Sequence, residues 1–337
     1  CVSKSWGSRI SDSEFVKAHL HRAQFNRLIL SSVNSLYSID HENEVVAAVE
    51  IDYPKEQTQN RNPHGIQIIG SCNGLVCIMP QPDIFFIFNP ATHESTRLPY
   101  ALIGYGGPCS AIAYGFGYAA PIDDYKLVKA APSPAMAVFS LRLGDGETST
   151  GFFYENLIES EKDPLPPGTL LNCALHWVFK VRGYGGKCVI AAFDLDTDKF
   201  SNMPVPETAV SGFSTGVLNG RLCLMHREDG LRRGHFWVMM EYGVGDSWTR
   251  ILVEEPCLVV KPLCLWKNSM ILIAKDKKEL VLCDPKNGTC KSFEVNGIPD
   301  MFYADVYVES PLSLQCSPKR TVNLSCFACV SDCEFTD

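Results

Sequence analysis

One glycine-rich stretch of the sequence has the residue types of a phosphate-binding loop. Gly115 and Gly117 flank Phe116, with a tyrosine on either side. A phosphate loop runs directly into a helix N-terminus, where backbone N–H groups converge on the anion. Here Pro121 and a strand-like stretch, Tyr125 to Val128, follow instead. The pattern therefore favours packing of glycines and aromatic rings within a strand, and nucleotide binding is not expected.

Two groups of metal-binding side chains supply too few ligands for a site. Cys326, Cys329 and Cys333 are spaced so that their thiolates could share a zinc ion, but no His accompanies them in the tail from residue 316 onward. His19 and His21 lie at alternate positions, which point to different faces of a helix. We therefore expect no metal site, and we interpret the Cys-rich stretch as a poorly ordered tail.

The sequence also suggests no catalytic residues and no cofactor. It contains no His-Glu-x-x-His zinc motif, and no strand–turn–helix nucleophile elbow is predicted. The eight His and the many carboxylates could still converge in three dimensions, so an enzyme remains an alternative.

One charged loop is a candidate binding surface. The stretch from Arg227 to His235 lies between two strand-like runs and includes Arg232 and Arg233. A solvated hairpin tip is the simpler interpretation. Because binding surfaces are often built from loops on a rigid scaffold, we take these three arginines and His235 as candidate target-binding residues.

The composition is that of an acidic globular protein. The chain has 337 residues, a formal charge of −8 and 46% hydrophobic residues. Its Lys and Arg residues are scattered, whereas a nucleic-acid footprint needs clustered positive charge. No apolar run reaches the roughly 18 residues of a membrane span. We therefore expect neither nucleic acid nor a membrane as a partner.

The cysteines favour a reducing compartment. Cys77, Cys223 and Cys283 lie within apolar runs, where a free Cys behaves as a small buried hydrophobe. A secreted disulfide framework is short and preceded by a signal peptide, and this sequence has neither feature. The sequence therefore predicts a cytoplasmic or nuclear protein. Because it begins at Cys1 without Met, we interpret it as a fragment or a processed product.

A short helical segment precedes a long β portion. Ser11 and Glu14 form a capping-box pattern, and Val16, Leu20 and Ala23 continue at helical spacing. From about residue 28 the chain consists of short runs rich in β-branched and aromatic residues, bounded by turn formers. Four Asn-Gly pairs, the strongest short-range hairpin signal, begin at positions 73, 219, 287 and 296. The β portion is therefore predicted to be all-β.

A weak repeat indicates how the strands are organised. Asn89, Asp194 and Asp284 each follow a strand and start a turn in which the side chain accepts a hydrogen bond from the backbone two residues on. Comparable turns are expected at Asp40, Asp145 and Asp246. A spacing of about 40 to 50 residues is typical of propeller blades. The sequence predicts a β-propeller of about six blades, and a β-sandwich is the alternative.

The sequence resembles a plant family along most of its length. Cys1 to Leu20 closely resembles the closing segment of an F-box and the helix after it, while most of the F-box is absent. Later motifs resemble, in order, the F-box-associated, kelch-like propeller of the same family, which includes the S-locus F-box proteins. These motifs are Ser71-Cys-Asn-Gly-Leu-Val-Cys77, Asn89-Pro-Ala-Thr92, Gly115-Phe-Gly-Tyr118, Asp124-Tyr-Lys126, Phe193-Asp-Leu with Phe200, Trp237-Val-Met with Glu241-Tyr-Gly-Val, Ser247-Trp248 and Tyr307-Val-Glu-Ser310.

This resemblance implies a non-catalytic substrate-recognition subunit of a Skp–cullin–F-box ubiquitin ligase. The propeller would bind a target protein, and a complete F-box would bind the Skp adaptor and, through it, the cullin. Val2, Lys4 and Trp6 match the F-box remnant and are expected to support the adaptor contact. The expected divisions are 1–27 for the remnant and following helix, 28–315 for the propeller, and 316–337 for the tail.

An enzyme or lectin-like ligand binder built on a propeller is the alternative function. The central channel would distinguish the two. A metal, or convergent carboxylates and His, would favour the enzyme, and a channel plugged by apolar side chains would favour the receptor.

Overall fold

The computed structural model shows a chain of strands joined by turns. It describes residues 26–40, 46–54, 65–99, 112–130, 136–141, 146–149, 166–180, 188–206, 213–226, 234–253 and 260–314. Within these ranges the helical elements are single 3-10 turns at Ala120–Ile122, Gly245–Ser247 and Lys267–Ser269, and no helix is long and apolar enough to cross a membrane. The predicted N-terminal helix and the Cys-rich tail lie outside the described residues.

The strands form six four-stranded antiparallel sheets, the blades of a propeller. Within each blade the innermost strand is named first and the outermost last. Blade 1 contains β24 (Tyr303–Val308), β1 (Asn26–Ser31), β2 (Leu36–Ile39) and β3 (Ala48–Ile51). Blade 2 contains β4 (Gln67–Cys72), β5 (Leu75–Gln81), β6 (Ile84–Phe88) and β7 (Ser95–Arg97). Blade 3 contains β8 (Ala113–Ala119), β9 (Asp124–Ala130), β10 (Met136–Ser140) and β11 (Gly146–Ser149). Blade 4 contains β12 (Thr169–Leu171), β13 (Ala174–Lys180), β14 (Cys188–Asp194) and β15 (Lys199–Met203). Blade 5 contains β16 (Phe213–Leu218), β17 (Arg221–His226), β18 (Gly234–Met239) and β19 (Trp248–Val253). Blade 6 contains β20 (Val260–Leu265), β21 (Ile271–Lys275), β22 (Glu279–Cys283) and β23 (Cys290–Ser292). The predicted all-β propeller of about six blades is confirmed.

Burial along a strand follows its place in the blade. In β5 the residues from Leu75 to Met79 are all buried, and in β14 those from Ile190 to Phe193. A strand covered on both faces has a continuous apolar run rather than an alternating pattern. Three outermost strands, β7, β15 and β23, have no buried residue, while β3 has one and β19 has two. The apolar runs in the sequence are therefore the middle strands, each lying between two neighbouring blades.

The core is divided among the contacts between blades. Six apolar clusters occur in the described part of the chain, and each joins residues from two neighbouring blades. Ile29 of blade 1 lies in one cluster with Val76 of blade 2, and Val128 of blade 3 lies in another with Trp177 of blade 4. Because each blade completes its core only against its neighbours, the ring has to close to bury both faces of every sheet.

The two ends of the chain close the ring within blade 1. Strand β24, the last of the chain, pairs with β1, the first, and Leu28 lies opposite Val306. The innermost strand of this blade therefore comes from the C-terminal side, and its other three strands come from the N-terminal side. Closure in this way joins the two ends of the chain by backbone hydrogen bonds within one blade.

The turns predicted at Asn89, Asp194 and Asp284 are confirmed. Asn89, Asp194 and Asp284 each accept a hydrogen bond from the backbone N–H two residues on, at 2.9 to 3.0 Å. Each lies between the third and fourth strands of its blade, as do Asp40 and Asp246. Asp145 lies outside the described residues.

Two of the four Asn-Gly pairs form the hairpin turns that the sequence indicated. Asn73-Gly74 and Asn219-Gly220 join a first strand to a second, and all four residues have positive φ, as a type I′ turn requires. At Asn287 and Asn296 only the following glycine has positive φ. Asn287 belongs instead to the turn that starts at Asp284, and Asn296 lies beyond β23. Those two pairs are turns but not two-residue hairpins.

The turns define two faces of the ring. Since each blade is antiparallel, the turns from first to second and from third to fourth strand share one face, which we call the lower face. The turns from second to third strand, and the connections between blades, share the opposite face, which we call the upper face. Asn89 lies at the lower face, and Lys277 in the β21–β22 turn lies at the upper face.

Among the described residues most cysteines are buried, and one of them differs from the prediction. Cys77 and Cys223 are fully buried and free, as expected for small hydrophobes. Cys283 is also buried, but it forms a disulfide with Cys290. These two residues lie directly opposite each other on β22 and β23, which brings their side chains together. The expectation of a free thiol at Cys283 is therefore wrong.

Candidate functional site

The main cavity of the described residues is the central channel. It has a volume of about 490 Å³ and is lined by residues from the innermost strand of all six blades. An innermost strand has a pairing partner on one side only, so its other edge leaves backbone N–H and C=O groups near the channel. The channel is thus walled by backbone edges and by the side chains that those strands turn inward.

Hydroxyl groups tie neighbouring or nearby inner strands together at this wall. Ser71 of β4 donates to the carbonyl oxygen of Val306 in β24 at 2.7 Å. Thr215 of β16 donates to the carbonyl oxygen of His176 at 2.9 Å, and its Oγ1 lies 2.8 Å from that of Thr169. These bonds satisfy polar groups that the blades alone leave unpaired.

The charged side chains of the channel lie together on blades 6 and 1. The described lining residues with a charge are Lys261, Lys277 and Asp305. Lys261 Nζ lies 2.9 Å from Asp305 Oδ2, and each of these side chains is about one third exposed. Lys277 Nζ donates to the hydroxyl of Tyr303 at 2.9 Å and lies 4.4 Å from the centre of its ring. This part of the wall carries two ammonium groups and one carboxylate.

The channel matches neither outcome expected from the sequence. It holds a cavity, so it is not plugged by apolar side chains. Among the described residues no group of three or more His, Cys, Asp or Glu comes close enough to hold a metal ion. The carboxylate of the described lining is Asp305, and it is paired with Lys261. The channel has room for a ligand.

One serine spacing that the sequence interpretation overlooked is explained by the structure. Gly212, Ser214 and Gly216 match Gly-x-Ser-x-Gly. A nucleophile elbow places its serine on a sharp turn between a strand and a helix. Ser214 instead lies within β16, which continues to Leu218 and turns into β17. The geometry of an elbow is therefore not present at Ser214.

The Gly115–Gly117 stretch packs against the next blade. A Cβ at Gly115 would lie 2.8 Å from Trp177 Cζ2, and one at Gly117 would lie 2.5 Å from Leu195 Cδ1. Both glycines are in β8, and the Trp177 indole N–H donates to the carbonyl oxygen of Tyr114 at 3.1 Å. The predicted strand packing is confirmed, and it lets two side chains of blade 4 lie on the backbone of blade 3.

A buried ion pair connects the same two blades at the lower face. Lys126 of β9 donates to both carboxylate oxygens of Asp198, at 2.7 and 2.9 Å, and to the carbonyl oxygen of Leu195 at 2.7 Å. The Lys126 side chain is 7% exposed and that of Asp198 is 43% exposed. The ammonium group is therefore withdrawn from water and compensated by three acceptor atoms.

A second polar contact connects blades 4 and 5. His176 is fully buried, with Nδ1 at 3.0 Å from the carbonyl oxygen of Thr169 and Nε2 at 2.8 Å from the hydroxyl of Tyr242. A carbonyl only accepts, so Nδ1 carries the proton and Nε2 accepts from Tyr242. Burial lowers the pKa of His176 below its ordinary value of 6.5, against the opposing effect of the backbone hydrogen bonds. The imidazole is therefore neutral at neutral pH.

Comparison with known protein families shows to which family this propeller belongs. A family model described as "F-box associated beta propeller domain" matches residues 23–318. The chain belongs to the F-box associated beta propeller family. The resemblance noted in the sequence is thereby confirmed for the propeller.

Curated relatives of this family member come from Arabidopsis thaliana. "F-box protein CPR1" is 27% identical over 351 residues, covering 92% of this chain and 82% of the relative. "F-box protein At4g22390" is 26% identical over 370 residues, covering 99% and 85%. "F-box/kelch-repeat protein At3g23880" is 24% identical over 342 residues, covering 93% and 89%.

The family motifs noted in the sequence prove to be contacts within and between blades. Asn89 Nδ2 donates to the carbonyl oxygens of Ser310 and Leu312, at 2.9 and 2.7 Å. A Cβ at Gly74 would collide with Ser310. The Trp248 indole N–H likewise donates to the carbonyl oxygen of Pro204 in the preceding blade, at 3.0 Å. These motif residues therefore hold the ring together, and two other motif residues, Ser71 and Phe116, also line the channel.

Most of the predicted contact residues lie outside the described residues. This applies to the adaptor-binding set, Val2, Lys4 and Trp6, and to the loop arginines, Arg227, Arg232 and Arg233.

The remaining predicted contact residue, His235, belongs to a strand and not to the loop. It is buried in β18, and its Nδ1 lies 3.3 Å from Nη2 of Arg250. A guanidinium group only donates, so His235 accepts at Nδ1. Strand β18 begins at Gly234, one position before His235, so the predicted loop extended too far toward the C-terminus.

The channel charges were missed by the sequence interpretation. Lys261 and Asp305 are 44 positions apart, and neither residue belongs to a motif that the sequence interpretation singled out. Only the closure of the ring places β20 beside β24. In each case a charged residue interrupts the apolar pattern of an innermost strand. This could have indicated the site, but only once it was known which strands are innermost.

Proposed function

We propose that this chain is the substrate receptor of a Skp–cullin–F-box ubiquitin ligase, and that its propeller binds the target protein without performing bond chemistry. One observation supports this most directly. Both ends of the propeller lie at the lower face, where β1 begins at Asn26 and β24 ends at Val308. The chain ahead of Asn26 is therefore attached to the ring at the lower face, and we assign the target contact to the opposite, upper face.

The adaptor contact is assigned to the part of the chain ahead of the propeller. The alignment to one F-box relative covers 99% of this chain and so extends into that part. Within it, Val2, Lys4 and Trp6 have the residue types of the F-box remnant and are proposed to support binding of the Skp adaptor, with a complete F-box supplying the rest.

The target contact is assigned to the upper face. Two residues of the channel lining, Lys277 and Tyr303, lie at this face. Strand β17 ends with His226 and β18 begins with Gly234 at the same face, so the loop arginines between them are attached to it. This supports Arg227, Arg232 and Arg233 as target contacts. A protein partner in the cytoplasm or nucleus fits the chain's charge of −8 and its lack of a basic patch for nucleic acid.

The test uses the full-length protein with its F-box restored. It is mixed with a plant Skp homologue and a cullin, and the assembled complex is measured by size-exclusion chromatography. We expect a stoichiometric complex that Trp6→Ala weakens and that the upper-face variant Lys277→Met leaves unchanged. Failure of the folded, full-length wild-type chain to bind the adaptor overturns the proposal.

A further inference from the structure

Among the described residues, those at the upper mouth of the channel carry more positive than negative charge, although the chain is acidic. Two of the three charged side chains of the described channel lining are lysines, whereas the chain as a whole has a formal charge of −8. We propose that this mouth binds an acidic segment of the target protein, with carboxylate side chains meeting Lys277 and Lys261. The inference rests on the proposed function and specifies the class of target that the upper face recognises.

Lys277 is held at the mouth by its surroundings. It lies in the β21–β22 turn with a φ of 60°, and its carbonyl oxygen accepts a hydrogen bond from Phe302 at 2.8 Å. Its ammonium group is fixed against the ring and hydroxyl of Tyr303, which is itself exposed. Among the described residues it has no ion-pair partner. A positive charge held in place in this way is preorganised to meet an anion.

Lys261 extends the positive surface into the channel. It bonds to Asp305, which lies two positions further along β24 than Tyr303. Both side chains of the pair are about one third exposed, so the ammonium group can donate to a second carboxylate while it stays bonded to Asp305. Asp305 alone does not neutralise two lysines. An anionic occupant completes the charge balance of this wall.

The size of the cavity suits a segment of chain. About 490 Å³ is enough for a few residues in extended conformation and far too little for a folded domain. Small residues such as Gly216 and Ala304 lie along the wall, so backbone edges of the inner strands are accessible to an extended partner. The site therefore combines backbone hydrogen-bonding groups with two placed cations.

The probe is a library of random dodecapeptides displayed on phage and selected on the wild-type chain. We expect selected peptides to be enriched in Asp and Glu. Their binding should fall by about tenfold in Lys261→Met and in Lys277→Met. It should also fall when every acidic residue of the peptide is replaced by its amide. Lys278→Met is the matched control, because Lys278 is an exposed neighbour outside the channel lining, and it should bind as wild type.

Arginine variants separate a loss of charge from a loss of folding. Lys261→Arg and Lys277→Arg should retain binding, because they keep the charge at each position. The inference is overturned if no acidic enrichment occurs, if the methionine variants bind as tightly as wild type, or if Lys278→Met weakens binding equally. Adaptor assembly by the full-length chain is measured separately, so that these outcomes remain distinct from a failure of the proposed function.

Discussion

The side-chain amide of Asn89 donates to the carbonyl oxygen of Ser310, 2.9 Å away, although 221 positions separate the two residues. The same amide group reaches Leu312, and Glu94 of the same turn accepts from the Ser313 hydroxyl and the Leu314 N–H. The segment after β24 thus crosses from blade 1 to the lower face of blade 2. Ring closure therefore has a second component beyond the pairing of β24 with β1.

Replacing Asn89 tests this latch. Asn89→Ala removes two donor bonds to buried or half-buried carbonyl groups and should lower the free energy of unfolding by about 2–4 kcal/mol. Urea unfolding followed by tryptophan fluorescence measures the loss. Asn202→Ala on the exposed strand β15 is the control and should change stability by less than about 0.5 kcal/mol. Equal effects of the two substitutions would exclude a latch at Asn89.

Gly115 provides a test of the contact between blades 3 and 4. A methyl group there would lie 2.8 Å from Trp177 and 2.9 Å from Leu175, both buried, so Gly115→Ala should cost about 2 kcal/mol of stability. Gly216→Ala is a matched control on the inner strand of blade 5. Its nearest neighbour is the flexible end of Met225 at 3.4 Å, so stability should be unchanged or slightly raised. Thermal unfolding of both variants separates a steric clash from the general effect of replacing Gly by Ala. A Gly115→Ala protein as stable as wild type contradicts the clash.

The sequence was informative wherever the structure depends on neighbours along the chain. The hydrogen bonds at Asn89, Asp194 and Asp284 join residues two positions apart, so residue type and spacing were enough to predict those turns and, from their repeat, the blades. Asn287 shows the limit of this reasoning. The same dipeptide forms either a hairpin or part of a longer turn, depending on the strand register that flanks it.

Contacts between strands depend on their register within a blade and on ring closure between blades, and no local sequence pattern contains either. The bond between Cys283 and Cys290 requires that β22 and β23 pair with these two residues opposite each other. The Lys261–Asp305 pair requires that β20 and β24 become neighbours. Both follow from the fold, and neither could be derived from spacing. The resemblance to a family located contact residues such as Asn89 and Ser310 without indicating what they contact.

The Lys126–Asp198 pair should show an unequal cost when either charge is removed. Asp198→Asn leaves a buried ammonium group with poorer acceptors and should cost about 2 kcal/mol. Lys126→Met removes the buried charge and leaves a carboxylate that is 43% exposed, so its cost should stay within about 1 kcal/mol. Urea unfolding of each variant and of the double variant measures the difference. A larger loss for Lys126→Met would contradict the view that burial of the ammonium group dominates.

His176 makes a pH dependence of stability predictable in sign. Its pKa in the folded protein lies below the ordinary 6.5, chiefly because it is buried. Below pH 6.5 this histidine therefore binds more protons in the unfolded chain than in the folded chain. The contribution of neutral His176 to the free energy of unfolding is fully present above pH 6.5. It is lost as the pH falls from 6.5 toward the lower pKa of the folded state. The slope from this one group is at most about 1.4 kcal/mol per pH unit.

Two variants isolate that slope. His176→Gln removes the titrating group and should flatten the dependence of unfolding free energy on pH below 6.5, even though the variant is less stable throughout. Tyr242→Phe removes the hydroxyl 2.8 Å from Nε2 but keeps the imidazole, so it should lower stability and preserve a slope. Urea unfolding at a series of pH values measures both. A wild-type slope in His176→Gln would show that protonation elsewhere in the chain governs acid unfolding, and that the blade 4–5 contact is not its origin.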